Sequence, residues 1–154
     1  MKTIGSKERG WIGLQLYAIN HLFGAMWARF EPMQFRDDVE TVELEIHENN
    51  FRIVANEEFW GCCGETKRLF LICHEMCHVM FAHWLVPEDV NREWWNVAQD
   101  IEVNEYLLKT HFKNKILKND EDILTIKRVF RHKSKLVKKS RDHKYYYDLI
   151  MQCV

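Results

Sequence analysis

Apolar residues in the first third of the chain follow two different periods. A spacing of three or four residues predicts one amphipathic helix that ends before Pro32, with apolar positions at Ile12, Leu16, Ile19, Phe23, Met26 and Phe30. Alternation with charged residues follows at 42–47, and a second apolar run occupies 51–55 after two asparagines. This pattern predicts a β-hairpin, because alternation buries one face of a strand and asparagine favours tight turns.

The rest of the chain is predicted to be helical. Glycines at 61 and 64 break the chain before a helix at about residues 65–84, and Pro87 ends that helix. The next helix is predicted from about residue 87 or 88 to residue 108, and shorter helices are predicted at 121–131 and 142–152. The predicted fold class is therefore α+β, a mainly helical domain with a small β-hairpin packed on the helix at 65–84.

Length and composition favour one packed domain. The 154 residues are 47% hydrophobic, with two Pro, six Gly and no linker-like run, so we predict a single domain over 1–154. Its core is expected at about 42–108 and a helical tail at 109–154. Residues 109–144 include thirteen Lys and Arg but only four Asp and Glu. The tail could bind nucleic acid, although a solvated charged surface is the simpler interpretation.

Cysteine usage and hydropathy predict a cytoplasmic protein with no membrane partner. The five cysteines show no regular spacing and no secretory signal precedes them, which favours reduced thiols. Polar residues interrupt the apolar run at 11–30, making it a poor membrane span and a poor signal peptide. Cys73 and Cys77 are predicted to be buried core residues rather than metal ligands.

The strongest chemical signal is the sequence His74-Glu75-x-x-His78. On an α-helix, residues four apart lie on one face, so both imidazoles can hold one metal ion. Glu75 occupies the place where a zinc peptidase keeps the carboxylate that deprotonates water. A catalytic zinc site usually takes three protein ligands, so the spacing predicts a third elsewhere in the chain.

The helix that follows supplies the best third ligand. Asp100 and Asn104 are four residues apart beside its apolar face, so we predict Asp100 as a ligand and Asn104 as a hydrogen-bond partner of a ligating histidine. Glu105 is the second choice, whereas Glu102 is expected to face solvent. His83 is the other alternative, but on a continuous helix it would point about 180° away from the first histidine.

These residues resemble a known family. The motifs are similar to those of predicted bacterial and phage metallopeptidases that often precede a von Willebrand A-like domain. Glu57 stands where that family usually has proline. The resemblance covers roughly 42–108 and a short tail, and it is carried by His74-Glu-x-x-His78, Ala82-His83-Trp84, Trp95-Asn-Val-Ala-x-Asp100-x-x-x-Asn104-x-x-Leu107, and the segments at 53–59 and 145–150.

The resemblance implies a zincin-like fold and a zinc-dependent metallopeptidase. It implies His74, His78 and Asp100 as Zn²⁺ ligands and Glu75 as the general base that activates a zinc-bound water. The expected partner is a protein or peptide substrate. His83, His111, His143 and the tyrosines at 145–147 are candidates for stabilising the oxyanion. The alternative is a catalytically silent, zinc-stabilised interaction protein that associates with nucleic acid through its basic tail.

Overall fold

The computed structural model describes residues 2–154 and confirms a mainly helical α+β protein. Within that range lie eight α-helices and one four-stranded sheet. The chain forms two compact units, Met1–Met76 and Cys77–Val154, and the boundary between them falls inside one continuous helix. The single-domain organisation stays a prediction. Among residues 2–154, no helix combines the length and apolar content that crossing a bilayer requires.

The first unit contains two helices where the sequence predicted one helix. Helix α1 (Ser6–Ile19) and helix α2 (His21–Arg29) are separated by Asn20, whose backbone is extended and whose side chain accepts a hydrogen bond from Leu22 N. An asparagine in this position caps a new helix, and this local bond explains the break. Gly24 of α2 lies so close to the Tyr17 ring that a Cβ atom would overlap it.

The sheet has the order β1-β2-β4-β3, with strands β1 (Lys2–Thr3), β2 (Glu31–Phe35), β3 (Val42–His47) and β4 (Asn50–Ala55). The predicted hairpin is confirmed, since β3 and β4 pair antiparallel from Val42↔Ala55 to His47↔Asn50. Glu48 and Asn49 form its turn with φ of 50° and 68°, the left-handed geometry that suits the twist of a hairpin. Strand β2, which pairs parallel with β4, was not predicted.

Helix α3 (Glu57–Cys62) and helix α4 (Glu65–Met80) complete this part of the chain. Helix α4 ends at Met80 and not at residue 84 as predicted, because Ala82 adopts a left-handed φ of 55°. Ala82 N donates to Val79 O at 3.1 Å, and His83 N donates to His78 O at 2.9 Å. This pair of bonds is the Schellman motif. It reverses the chain so that His83 returns beside the helix it follows.

The second unit is organised around helix α5 (Arg92–Lys109). It begins later than predicted, because Asn91 caps it by accepting a hydrogen bond from Trp94 N. Helix α6 (Lys115–Lys118), helix α7 (Ile126–Phe130), a 3₁₀ helix (Arg131–Leu136) and helix α8 (His143–Cys153) follow. Residues of α5, α7 and α8 form one apolar cluster, with buried members Ala98, Ile101, Ile126, Phe130, Tyr146 and Ile150.

Candidate metal centre

Three side chains of α4 lie close together on that helix. Potential ligand atoms of His74, Glu75 and His78 all lie within 4.8 Å of one another. The two histidines share one face because they are four residues apart, so helical geometry alone sets their relation. His74 Nε2 lies 4.0 Å from Glu75 Oε1, and the two side chains are only 12% and 11% exposed. Two imidazoles and one carboxylate therefore form a compact, largely desolvated set of donors.

Asp100 of α5 approaches the second of these histidines. Its Oδ1 atom lies 3.2 Å from His78 Nε2, and its side chain is 34% exposed. Two ligands bound to one tetrahedral zinc ion at ordinary bond lengths are roughly 3.3 Å apart. The observed separation therefore suits a nitrogen and an oxygen that share an ion. Imidazole together with carboxylate is also a donor set that zinc accepts, so these residues fit a zinc ion.

The other predicted polar residues of α5 bind backbone atoms. Glu105 Oε1 accepts a hydrogen bond from Ile126 N at 2.7 Å. Asn104, which is 3% exposed, donates through Nδ2 to Leu124 O at 2.9 Å. Both bonds hold the start of α7 to α5. The role of Asn104 beside a ligating histidine stays a prediction.

A second cluster of titratable side chains was not predicted from the sequence. It consists of His83, Glu102 and His143, whose potential ligand atoms also lie within 4.8 Å of one another. Glu102 Oε1 lies 2.5 Å from His83 Nε2 and 3.3 Å from His143 Nδ1. Its Oε2 atom accepts a hydrogen bond from the backbone N of His143 at 2.9 Å. The expectation that Glu102 faces solvent is wrong, because its side chain is only 14% exposed.

His83 connects this cluster to the first one. Its Nδ1 atom lies 2.7 Å from His78 Nδ1, and its residue is 4% exposed. The expectation that His83 points away assumed a continuous helix, and the chain reversal at Ala82 removes that assumption. Because both ring nitrogens of His83 have partners inside the protein, this residue is poorly placed to stabilise an oxyanion on a substrate.

The surroundings of Glu102 favour its charged form. Burial alone raises the pKa of a carboxyl group, but hydrogen bonds from His143 and His83, followed by the coulombic interaction with these two residues, outweigh burial and lower the pKa of Glu102 to about 2. Burial, with a smaller contribution from the charge of Glu102, raises the pKa of the Cys77 thiol to about 12. Cys73 and Cys77 are fully buried, which confirms their predicted place in the core.

One signal in the sequence could have located Glu102 correctly. On α5, Trp95 and Val103 are buried at 5% and 0% exposure, on another side of the helix from the partly buried Trp94 and Val97. Helix α5 therefore has a second buried side. Glu102 lies seven residues after Trp95, which places both on that side. Trp95 was therefore the sequence signal that this side of α5 is buried.

The basic segment contains an open cavity. Its volume is about 460 Å³, and it is lined by Lys118, Asn119, Thr125, Lys127, Arg128 and Arg131. Four of these six side chains are cationic and none is acidic, which is chemistry suited to an anion. Association with nucleic acid stays a prediction.

Residues 19–149 match the model of a family described as "Putative metallopeptidase domain". Comparisons with curated proteins and with solved structures gave no match.

Proposed function

Because the chain belongs to this metallopeptidase-domain family, we propose that it hydrolyses peptide bonds with the help of a zinc ion. In this proposal His74, His78 and Asp100 hold the ion, and Glu75 is the general base. The observation that carries it is the donor set itself. Ligand atoms of His74, Glu75 and His78 lie within 4.8 Å of one another, and Asp100 Oδ1 lies 3.2 Å from His78 Nε2.

In the proposed reaction, the zinc ion and the side chains of the protein have different roles. A zinc ion held there supplies Lewis acidity, which polarises a peptide carbonyl and acidifies water. Glu75 takes the proton of the attacking water on a carboxylate oxygen and passes it to the leaving amine. The low exposure of Glu75, 11% of its side chain, keeps competing solvent away from that carboxylate. Asp100 adds a negative charge that helps to neutralise a divalent ion.

The proposed substrate is an extended protein or peptide segment. Strand β3 lies at one edge of the sheet, so its outward backbone groups are available for pairing with another strand. Extended peptides commonly add to such an edge through main-chain hydrogen bonds. This position supports a peptide partner that is recognised through its backbone more than through particular side chains.

The test separates metal binding from hydrolysis. Glu75→Gln should lower the rate of hydrolysis of a peptide library, read by mass spectrometry, by roughly 10²-fold or more, while zinc content stays at one ion per chain. His74→Ala, as the matched control on the same helix, should lose both zinc and hydrolysis. Full hydrolysis by Glu75→Gln would contradict the assignment of the base. A wild type that binds zinc but cleaves no peptide would favour a silent, zinc-stabilised interaction protein.

A further inference from the structure

The cluster of His83, Glu102 and His143 resembles a metal site in composition but not in its distances. Two ligands of one tetrahedral zinc ion are roughly 3.3 Å apart, whereas His83 Nε2 and Glu102 Oε1 are 2.5 Å apart. That distance is typical of a charge-assisted hydrogen bond. The 2.7 Å between His83 Nδ1 and His78 Nδ1 is also a hydrogen-bond distance. Both ring nitrogens of His83 therefore take part in hydrogen bonds, and neither is left for a metal ion.

The direction of these hydrogen bonds depends on Glu102, the acceptor at the end of the series His78–His83–Glu102. A carboxylate only accepts, so His83 Nε2 carries the proton that it shares with Glu102. When the His83 ring carries this one proton, its Nδ1 atom is an acceptor, and the 2.7 Å contact is then a hydrogen bond donated by His78 Nδ1–H. With its single proton on Nδ1, the His78 ring carries its lone pair on Nε2. That nitrogen is the one that lies 3.2 Å from Asp100 Oδ1.

We propose that His83 is a positioning residue, which fixes the tautomer and ring orientation of His78 so that Nε2 faces the metal ion. Histidines that bind metals commonly donate their second N–H to a carboxylate or a carbonyl. Here a second histidine stands between the ligand and the carboxylate of Glu102. This inference rests on the proposed function, because it takes His78 as a zinc ligand.

The fold holds His83 from several directions, as a positioning role requires. The chain reversal at Ala82 lets His83 N donate to His78 O at 2.9 Å, so backbone and side chain of His83 both contact the same residue. Gln99 Nε2 donates to His83 O at 2.9 Å. On the far side, Glu102 is itself held by the backbone and ring of His143. The His83 ring therefore has little freedom to turn away from His78.

The first test measures zinc affinity by competition with a chelator. His83→Phe should still bind one zinc ion per chain, but with an affinity lower by roughly 10–100-fold. His83→Gln should recover much of that affinity, because its amide keeps one acceptor for His78 and one donor for Glu102. His132→Phe, a matched change at an exposed histidine, should bind as the wild type does. The visible spectrum of the Co²⁺-loaded protein should shift in His83→Phe and return towards the wild-type spectrum in His83→Gln.

Two results of that test would overturn the inference. Wild-type zinc affinity in His83→Phe would show that His83 does not support His78. Complete loss of zinc in both His83 variants, equal to the loss in His74→Ala, would make His83 a ligand instead. Either result leaves the proposed function standing if the wild type binds zinc and Glu75→Gln is inactive. A wild type that binds no zinc would refute both.

The second test needs no substitution and so does not depend on how a variant folds. A long-range ¹H–¹⁵N correlation spectrum of the zinc-loaded wild type should show His78 protonated at Nδ1 and His83 protonated at Nε2. His83 unprotonated at Nε2, or protonated at Nδ1 alone, would refute the proposed direction of the hydrogen bonds. Hydrolysis is not measured in this experiment, so its result is independent of whether Glu75 is the base.

Discussion

Replacing Glu102 with glutamine measures how strongly the second unit depends on one buried carboxylate. Glutamine keeps the size of the side chain and one carbonyl oxygen but removes the negative charge, so it resembles the protonated form of Glu102. The pKa of Glu102 is lowered from 4.5 to about 2, which means that the folded protein favours the charged form by roughly 3 kcal/mol. Glu102→Gln should therefore lower the free energy of unfolding by roughly 2–3 kcal/mol at pH 7.

Urea denaturation in the presence of EDTA measures this difference without a contribution from metal binding. With a urea dependence of about 2 kcal/mol per molar, the midpoint should fall by roughly 1–2 M. The folded-state pKa lies below the unfolded value, so the stabilisation by Glu102 is complete above about pH 4.5 and is lost as the pH falls towards 2. The difference in free energy of unfolding between the wild type and Glu102→Gln should therefore become smaller as the pH falls over that range.

The control is Glu121→Gln, which removes the same charge from an exposed residue of the same unit. It should change the free energy of unfolding by less than about 0.5 kcal/mol. The reasoning would be refuted if Glu102→Gln were as stable as this control at pH 7. A difference in free energy of unfolding that stays constant below pH 4.5 would also refute the reasoning, because that difference would then not arise from the charge of Glu102.

Two further predictions concern local features of the structure. Cys62 and Cys153 are exposed and should react quickly with a disulfide reagent at pH 8. Cys77 should react only on unfolding, because burial raises the pKa of its thiol to about 12. Rapid labelling of three or more thiols in the native protein would contradict this prediction. Asn91→Ala removes the cap that accepts from Trp94 N and should cost about 1 kcal/mol of stability, measured by urea denaturation. Asn91→Asp, which keeps the cap, is the control.

Much of this architecture could be predicted from local pattern. Alternation at 42–47 and the polar turn after it were sufficient for the β3–β4 hairpin, because strand faces and tight turns depend on neighbouring residues. Helical periodicity placed His74, Glu75 and His78 together on one helix, and the structure brings their ligand atoms within 4.8 Å. Strand β2 could not be found in this way, since its parallel partner β4 lies some twenty residues later.

The environment of His83 and Glu102 depended on contacts that no local pattern contains. A left-handed backbone at Ala82, which alanine rarely adopts and glycine usually supplies, ends α4 early and returns His83 to His78. The second buried side of α5 then surrounds Glu102, which a one-face interpretation of that helix assigned to solvent. Periodicity reports which residues share a face of one element. Only the packing of α5, α8 and the turn after α4 decides which of those faces are buried and which polar atoms meet there.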